Sequence, residues 1–137
     1  MPVPAVQISS SKMAQDIFNQ VNHYRESHGL TKLIWDGKIA QEAQRHSLDM
    51  ARVKRISHDG FDQRWSRLRR VIFGARGIAE NVAMNRNHRD PSSLAVKGWI
   101  NSPGHHRNMI GDYNRTGIAV QKAPDGSYFF TQIFMKA

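Results

Sequence analysis

The segment Trp99–Ile110 reads WINSPGHHRNMI and sets two adjacent histidines, His105 and His106, directly behind Ser102-Pro103-Gly104. A serine can accept from the orphan N–H groups of a helix start, and proline at the first helical position already has the φ a helix needs. A short helix is therefore expected to open here, its first-turn histidine held at the edge of a cleft. The competing reading is a capped surface helix with solvated histidines. Two upstream segments tip the balance, Ser57-His58-Asp59-Gly60 and Ala79-Glu80-Asn81, each placing an ionisable group at a junction between elements.

Around these segments the chain of 137 residues is long enough for one domain with a sizeable core. Its 39% hydrophobic and 23% charged content is that of a globular protein. No apolar run approaches the roughly 20 residues that span a bilayer. Met1–Ala5 lacks the basic flank and apolar core of a signal peptide, so the chain is expected either to stay inside the cell or to be exported by a signal lying outside this sequence. There are no cysteines, which removes disulfides, thiolate metal sites and cysteine nucleophiles together. Any metal must be held by histidine, carboxylate and water. The net charge of +9 favours anionic partners such as acidic lipid, anionic cell-wall polymer or nucleic acid, though charge speaks to encounter and not to a specific site.

In chain order, residues 1–12 are taken as an N-terminal arm, prolines at 2 and 4 marking its extended part, and 13–137 as a single domain. Met13, Ile17, Val21 and Tyr24 recur at helical spacing and predict a helix over about 11–28, closed by Gly29. Asp36 caps a second helix whose face is Ile39, Ala43, Ser47 and Met50, and the small residues at 40, 43 and 47 predict close approach to another element. His46 falls beside that stripe and reads as structural, while His23, His28 and His88 read as solvated or inert. A third short helix over 62–71 is expected to turn Trp65, Leu68 and Ile72 inward. Arg64, Arg67, Arg69 and Arg70 are expected mainly outward, as a solvated face or an anion-docking patch. Asp90-Pro91 opens a fourth helix. Thr116–Ala123 and Ser127–Met135 read as a hairpin joined by Pro124-Asp125-Gly126. Helices first and an antiparallel hairpin last indicate an α+β fold.

His58, Glu80 and His105, with His106 in reserve, make a set that can hold a divalent metal, typically zinc, with positions left for water. The same groups can serve as a metal-free acid/base set in which Glu80 orients one histidine. Glu80 sits among small and apolar neighbours and must be partnered if buried.

Ser57-His58-Asp59-Gly60-Phe61, Ala79-Glu80-Asn81-Val82, Trp99–His105 with Asn108 three residues on, and the closing hairpin, in this order, resemble bacterial SCP-like domains of the CAP superfamily, related to cysteine-rich secretory proteins, antigen 5 and pathogenesis-related proteins. The resemblance covers about residues 13–135. It implies a three-layer α-β-α sandwich with a central antiparallel sheet and an open cleft marked by two histidines and two glutamates. Position by position, the histidines fall on His58 and His105 and the first glutamate on Glu80. The second glutamate falls on Ser102, which can exchange a hydrogen bond but supplies no charge. The resemblance implies a mostly secreted family, some of whose members bind sterol or lipid and others of which are linked to proteolysis. A monomer is expected, with zinc or another divalent cation on His58 and His105, Glu80 and Ser102 behind them, and His106 and Asn108 nearby.

Three functions follow as expectations: a binding module whose cleft takes a metal and an anionic, peptide, sterol or lipid ligand; a zinc-dependent hydrolase in which Glu80 takes a proton from metal-bound water; and a nucleic-acid binder driven by charge. Against the hydrolase, only one carboxylate is available and no serine or cysteine nucleophile has a recognisable setting. Against the third, no base-stacking signature or DNA-reading helix is present. Trp35 and Trp99 are both expected to be largely buried.

Overall fold

The computed structural model describes residues 8–137; the arm before Ile8 lies outside them. In chain order the elements are α1 (Ser10–Ser27), β1 (Ile34–Trp35), α2 (Gly37–Val53), α3 (Phe61–Val71), β2 (Gly77–Asn85), α4 (Pro91–Ile100), α5 (Pro103–Met109), β3 (Arg115–Lys122) and β4 (Tyr128–Lys136). The sheet order is β1-β3-β4-β2. β2, β3 and β4 are antiparallel, whereas the two-residue β1 joins β3 in parallel, so the central sheet is antiparallel only in its long strands.

Alternation along the strands divides the core between two helical layers. Ile118, Val120, Phe130 and Phe134 face α1 and α4, where they meet Ile17, Val21, Val96 and Trp99. Ala119, Ile133 and Met135 face the other way, onto Ile39 and Ala43 of α2 and Leu68 of α3. The result is the expected α-β-α sandwich.

The helix starts follow the sequence signals. Asp36 Oδ1 accepts from Lys38 N at 2.8 Å, and Asp90 Oδ1 accepts from Ser93 N at 3.2 Å with Pro91 beginning the helix. α1 begins at Ser10, capped by the Ser9 side chain, so Ser10–Lys12 belong to the helix and not to an arm. The small residues of α2 do mark a close approach. An added Cβ on Gly117 would collide with the Ala40 backbone, and Ser47 Oγ lies 2.8 Å from Thr131 Oγ1.

Two expectations about tryptophan part company. Trp99 is 2% exposed and donates from Nε1 to Val82 O at 3.0 Å. Trp35 is 38% exposed, because β1 is a sheet edge; its ring meets Phe18 edge-to-face at 5.5 Å between centroids. Trp65 is only half-buried; its indole carries the Arg69 guanidinium 5.2 Å from the ring centre.

One strand has no counterpart in the sequence reading. β2 pairs along all nine of its residues with β4 and forms the far edge of the sheet. The α4–α5 segment crosses that edge, where Trp99 Nε1–H and Asn108 Nδ2–H reach the Val82 and Glu80 carbonyls. Backbone groups on an open edge invite pairing with another chain, and these two are taken by side chains instead. The crossing also delivers His105 to the strand that carries Glu80.

Candidate functional site

Glu80 and Asn81 are consecutive on β2, so their side chains leave opposite faces of the strand. Both are buried. Each organises one of the two histidines singled out by the sequence.

On the Glu80 side the expected partner of the buried carboxylate comes from an unexpected residue. Arg64, expected outward on α3, is 4% exposed. It grips Glu80 with a two-pronged contact, Nε to Oε2 at 2.7 Å and Nη2 to Oε1 at 2.8 Å. The reason lies in position: Arg64 stands four residues before Leu68 and eight before Ile72, on the buried face of α3. Its other nitrogens shape the loop before the helix. Nη1 donates to Asp59 O at 2.7 Å and Nη2 reaches His58 O at 3.4 Å. Gly60 supplies the positive φ of 79° that starts α3, and an added Cβ there would press to 3.2 Å from Arg64 Nη1. That loop presents His58, whose Nδ1–H donates to Glu80 Oε1 at 2.9 Å while 53% of the side chain stays exposed.

His46 completes this side. The sequence reading made it structural, and it is buried at 2% exposure, but it belongs to the Glu80 cluster. Nε2–H donates to Ser57 O at 2.6 Å and lies 3.7 Å from Glu80 Oε1, while Nδ1 has no partner. Burial holds its pKa below the ordinary histidine value, opposed by the Ser57 carbonyl and the Glu80 charge and reinforced by Arg64 and His58. The helical spacing 39, 43, 46, 50 was the signal that places it inward.

On the Asn81 side the links are neutral. Asn81 Nδ2 donates to the His105 carbonyl at 3.1 Å, and Asn108 Nδ2 donates to Asn81 Oδ1 at 2.9 Å. Ser102 begins α5 without a side-chain cap bond; its hydroxyl instead meets His105 Nδ1 at 2.8 Å. Burial lowers the His105 pKa, and the charge of nearby His58 lowers it further. His106 turns away to α1, where Nε2 hydrogen-bonds the Tyr24 hydroxyl at 2.7 Å.

His58, Glu80, His105, Ser102 and Asn108 are thus brought to one edge of the sheet, and His106 is not. Each of the two histidines has Nδ1 engaged by the protein. Among the described residues no group of three or more His, Cys, Asp or Glu is arranged to hold a metal ion. At this edge the Glu80 oxygens accept from Arg64 and His58, and the imidazoles of His58 and His105 are the remaining donor groups. A groove of about 660 Å³ between α1, α2 and β3 and one of about 440 Å³ between α2 and α3 are lined by other residues.

The arginine patch also changes. Arg64 is internal, and Arg67 clasps Glu42, with Nη2 2.7 Å from Oε1 and Nε 3.0 Å from Oε2. This pairing raises the Arg67 pKa. Arg69 and Arg70 alone of the four remain exposed without a carboxylate among the described residues.

Comparison with known proteins agrees with this architecture. The model of the cysteine-rich secretory protein family, CAP, matches residues 18–134. A Bacillus subtilis protein named as an uncharacterized membrane protein is 33% identical over 134 residues, which are 96% of this chain and 36% of the relative. The chain thus spans about a third of that relative's length. An extracellular SCP-domain protein from Bacillus anthracis superposes with a TM-score of 0.76 at 28% identity, covering 97% of this chain and 45% of the other. An outer surface protein from Borrelia burgdorferi superposes with a TM-score of 0.81 at 20% identity, covering 96% and 97%.

Proposed function

We propose a binding role for this chain, which belongs to the cysteine-rich secretory protein (CAP) family. The site at the β2 edge acts as a receptor for an anionic ligand, with a divalent cation, zinc foremost, held between His58 and His105. The observation that carries the reading is the engagement of both Glu80 oxygens. Its two oxygens accept three hydrogen bonds, two from Arg64 and one from His58. A carboxylate so engaged is suited to orienting an imidazole and poorly suited to taking a proton from water. The Arg64 charge also offsets that of Glu80, so a cation on the histidines would leave the site positive. A cation there would polarise the bound anion as a Lewis acid.

The donor chemistry suits such an ion within limits. With Nδ1–H on Glu80, His58 turns its Nε2 lone pair away from the carboxylate, and an Nδ1–H on Ser102 would do the same for His105. Two nitrogens leave the remaining positions of a tetrahedral ion to water and ligand. The same Glu80 geometry argues against the hydrolase. An extracellular location is part of the proposal, supported by the extracellular and outer surface proteins to which the chain is similar.

Isothermal titration with zinc tests this directly. The parent protein binds one equivalent, and acid weakens the binding because only a neutral imidazole can ligate. His58→Ala and His105→Ala abolish binding, whereas Glu80→Gln weakens it less. Parent-like binding by His58→Ala removes the metal from the reading.

A further inference from the structure

We propose that the C-terminal tip of α3 docks on a lipid bilayer containing anionic lipid, with Phe73 as an apolar wedge in a basic collar. Phe73 is 100% exposed and Val71 51% exposed, two large apolar side chains within one turn. Lone exposed apolar residues are ordinary on a protein surface, but among the described residues no other large apolar side chain is as exposed as Phe73.

The turn that carries Phe73 is anchored. Ala75 N donates to Ile72 O at 3.3 Å, and Arg76 N donates to Lys136 O at 2.9 Å. Gly74 has a φ of 81°, the left-handed conformation that lets the chain reverse directly behind the ring. Ile72, between the two exposed residues, is buried at 3% in the core. The backbone therefore holds Phe73 outward.

Around the tip stand cations without carboxylate partners. Arg69 and Arg70 occupy the last turn of α3, and Arg76 follows the reversal; all three are exposed. Lys38 of α2 reaches across to donate from Nζ to Val71 O at 3.1 Å. None of these four has a carboxylate within ion-pair distance among the described residues. The nearby acid, Glu42, is already clasped by Arg67. Basic residues at a helix C-terminus favour its dipole, which accounts for Arg69 and Arg70 but not for Lys38 or Arg76. The dipole also gives no reason for an aromatic ring in water.

An apolar wedge among cations that lack carboxylate partners fits the chemistry of an anionic bilayer, where the aromatic ring enters the acyl boundary and the cations meet the headgroups. Nucleic acid would use the charge and could stack on Phe73, but it gives no role to the aliphatic Val71. The tip stands at the opposite end of α3 from the His58 loop, about 16 Å along a helix of 11 residues. Docking would leave the histidine site open, and the inference does not depend on any metal there.

Co-sedimentation with vesicles tests it, using phosphatidylcholine alone and a roughly 3:1 mixture of phosphatidylcholine and phosphatidylglycerol. The parent protein pellets with the mixed vesicles and not with phosphatidylcholine. Phe73→Asp, which breaks no contact in the fold and should melt as the parent does, lowers the partition at least about tenfold. Arg69→Glu with Arg70→Glu does the same, and salt above about 0.15 M weakens the parent's binding. Phe73→Asp pelleting like the parent would overturn the proposal. So would equal binding to neutral vesicles. Binding to single-stranded DNA that depends on Phe73 and displaces the vesicles would assign the tip to nucleic acid instead.

Discussion

The two faces of β2 hold their histidines by different means. On the Glu80 face a buried carboxylate, a buried guanidinium and two imidazoles form a charged cluster, and His58 is tied through its ring. On the Asn81 face the bonds are amide to carbonyl and amide to amide, and His105 is tied through its backbone while its ring meets the Ser102 hydroxyl. A charged cluster in a low-dielectric setting is stable only when complete, because one missing partner leaves a buried charge unanswered. A neutral network loses one bond at a time. The first face should therefore fail abruptly and the second by degrees.

The largest effect expected from this difference is at Arg64. Arg64→Met leaves Glu80 buried without its guanidinium and should cost about 3–5 kcal/mol in urea unfolding. Adding Glu80→Leu removes the stranded charge, so the double variant should recover most of that loss although it has lost one more polar group. A double variant no more stable than Arg64→Met would show that the cluster's worth is not electrostatic. On the opposite face, Asn108→Ala frees the Asn81 side-chain oxygen and the weakly held Glu80 carbonyl, both neutral acceptors, and the loss should be about 1–3 kcal/mol. A cost at Asn108 equal to that at Arg64 would erase the distinction between the faces.

These residues also show how far the sequence could be read. His58 and His105 were legible because each lies beside a turn or helix start marked by glycine, proline or serine, and such junctions display side chains; Glu80, expected at a junction too, lies buried inside β2. Asp36, Asp90 and the Pro124-Asp125-Gly126 turn were legible for the same reason: their conformations are local. β2 was not legible, since GIAENVAMN has little β-branched character and becomes a strand because β4 pairs with it along its length. Arg64 was misread by residue type although its spacing to Leu68 and Ile72 pointed inward. The charge that satisfies Glu80 was thus marked by the periodicity of α3. Trp35 was misread for a different reason, because nothing local reveals that β1 stops after two residues and leaves the ring at an edge.

The smallest expected effect is a pH dependence, and it comes from within the charged face. His46 has its pKa lowered in the folded protein, first by burial and then by the Arg64 and His58 charges, against the Ser57 carbonyl and Glu80. In the unfolded chain the same imidazole titrates near about 6.5. Below that pH the unfolded state binds a proton that the folded state resists, so stability rises with pH across the interval between the two values. The contribution of His46 is then complete above about 6.5 and is lost as the pH falls through the folded value. His105, lowered by burial and by His58, acts with the same sign from the other face. Melting temperatures measured in chelator, so that no bound metal contributes, should fall between about pH 7 and pH 5. His46→Gln keeps an N–H donor for the Ser57 carbonyl but cannot take up a proton, and it should flatten that slope. A variant whose slope matches the parent's would show that the buried imidazole is not the source of the acid sensitivity.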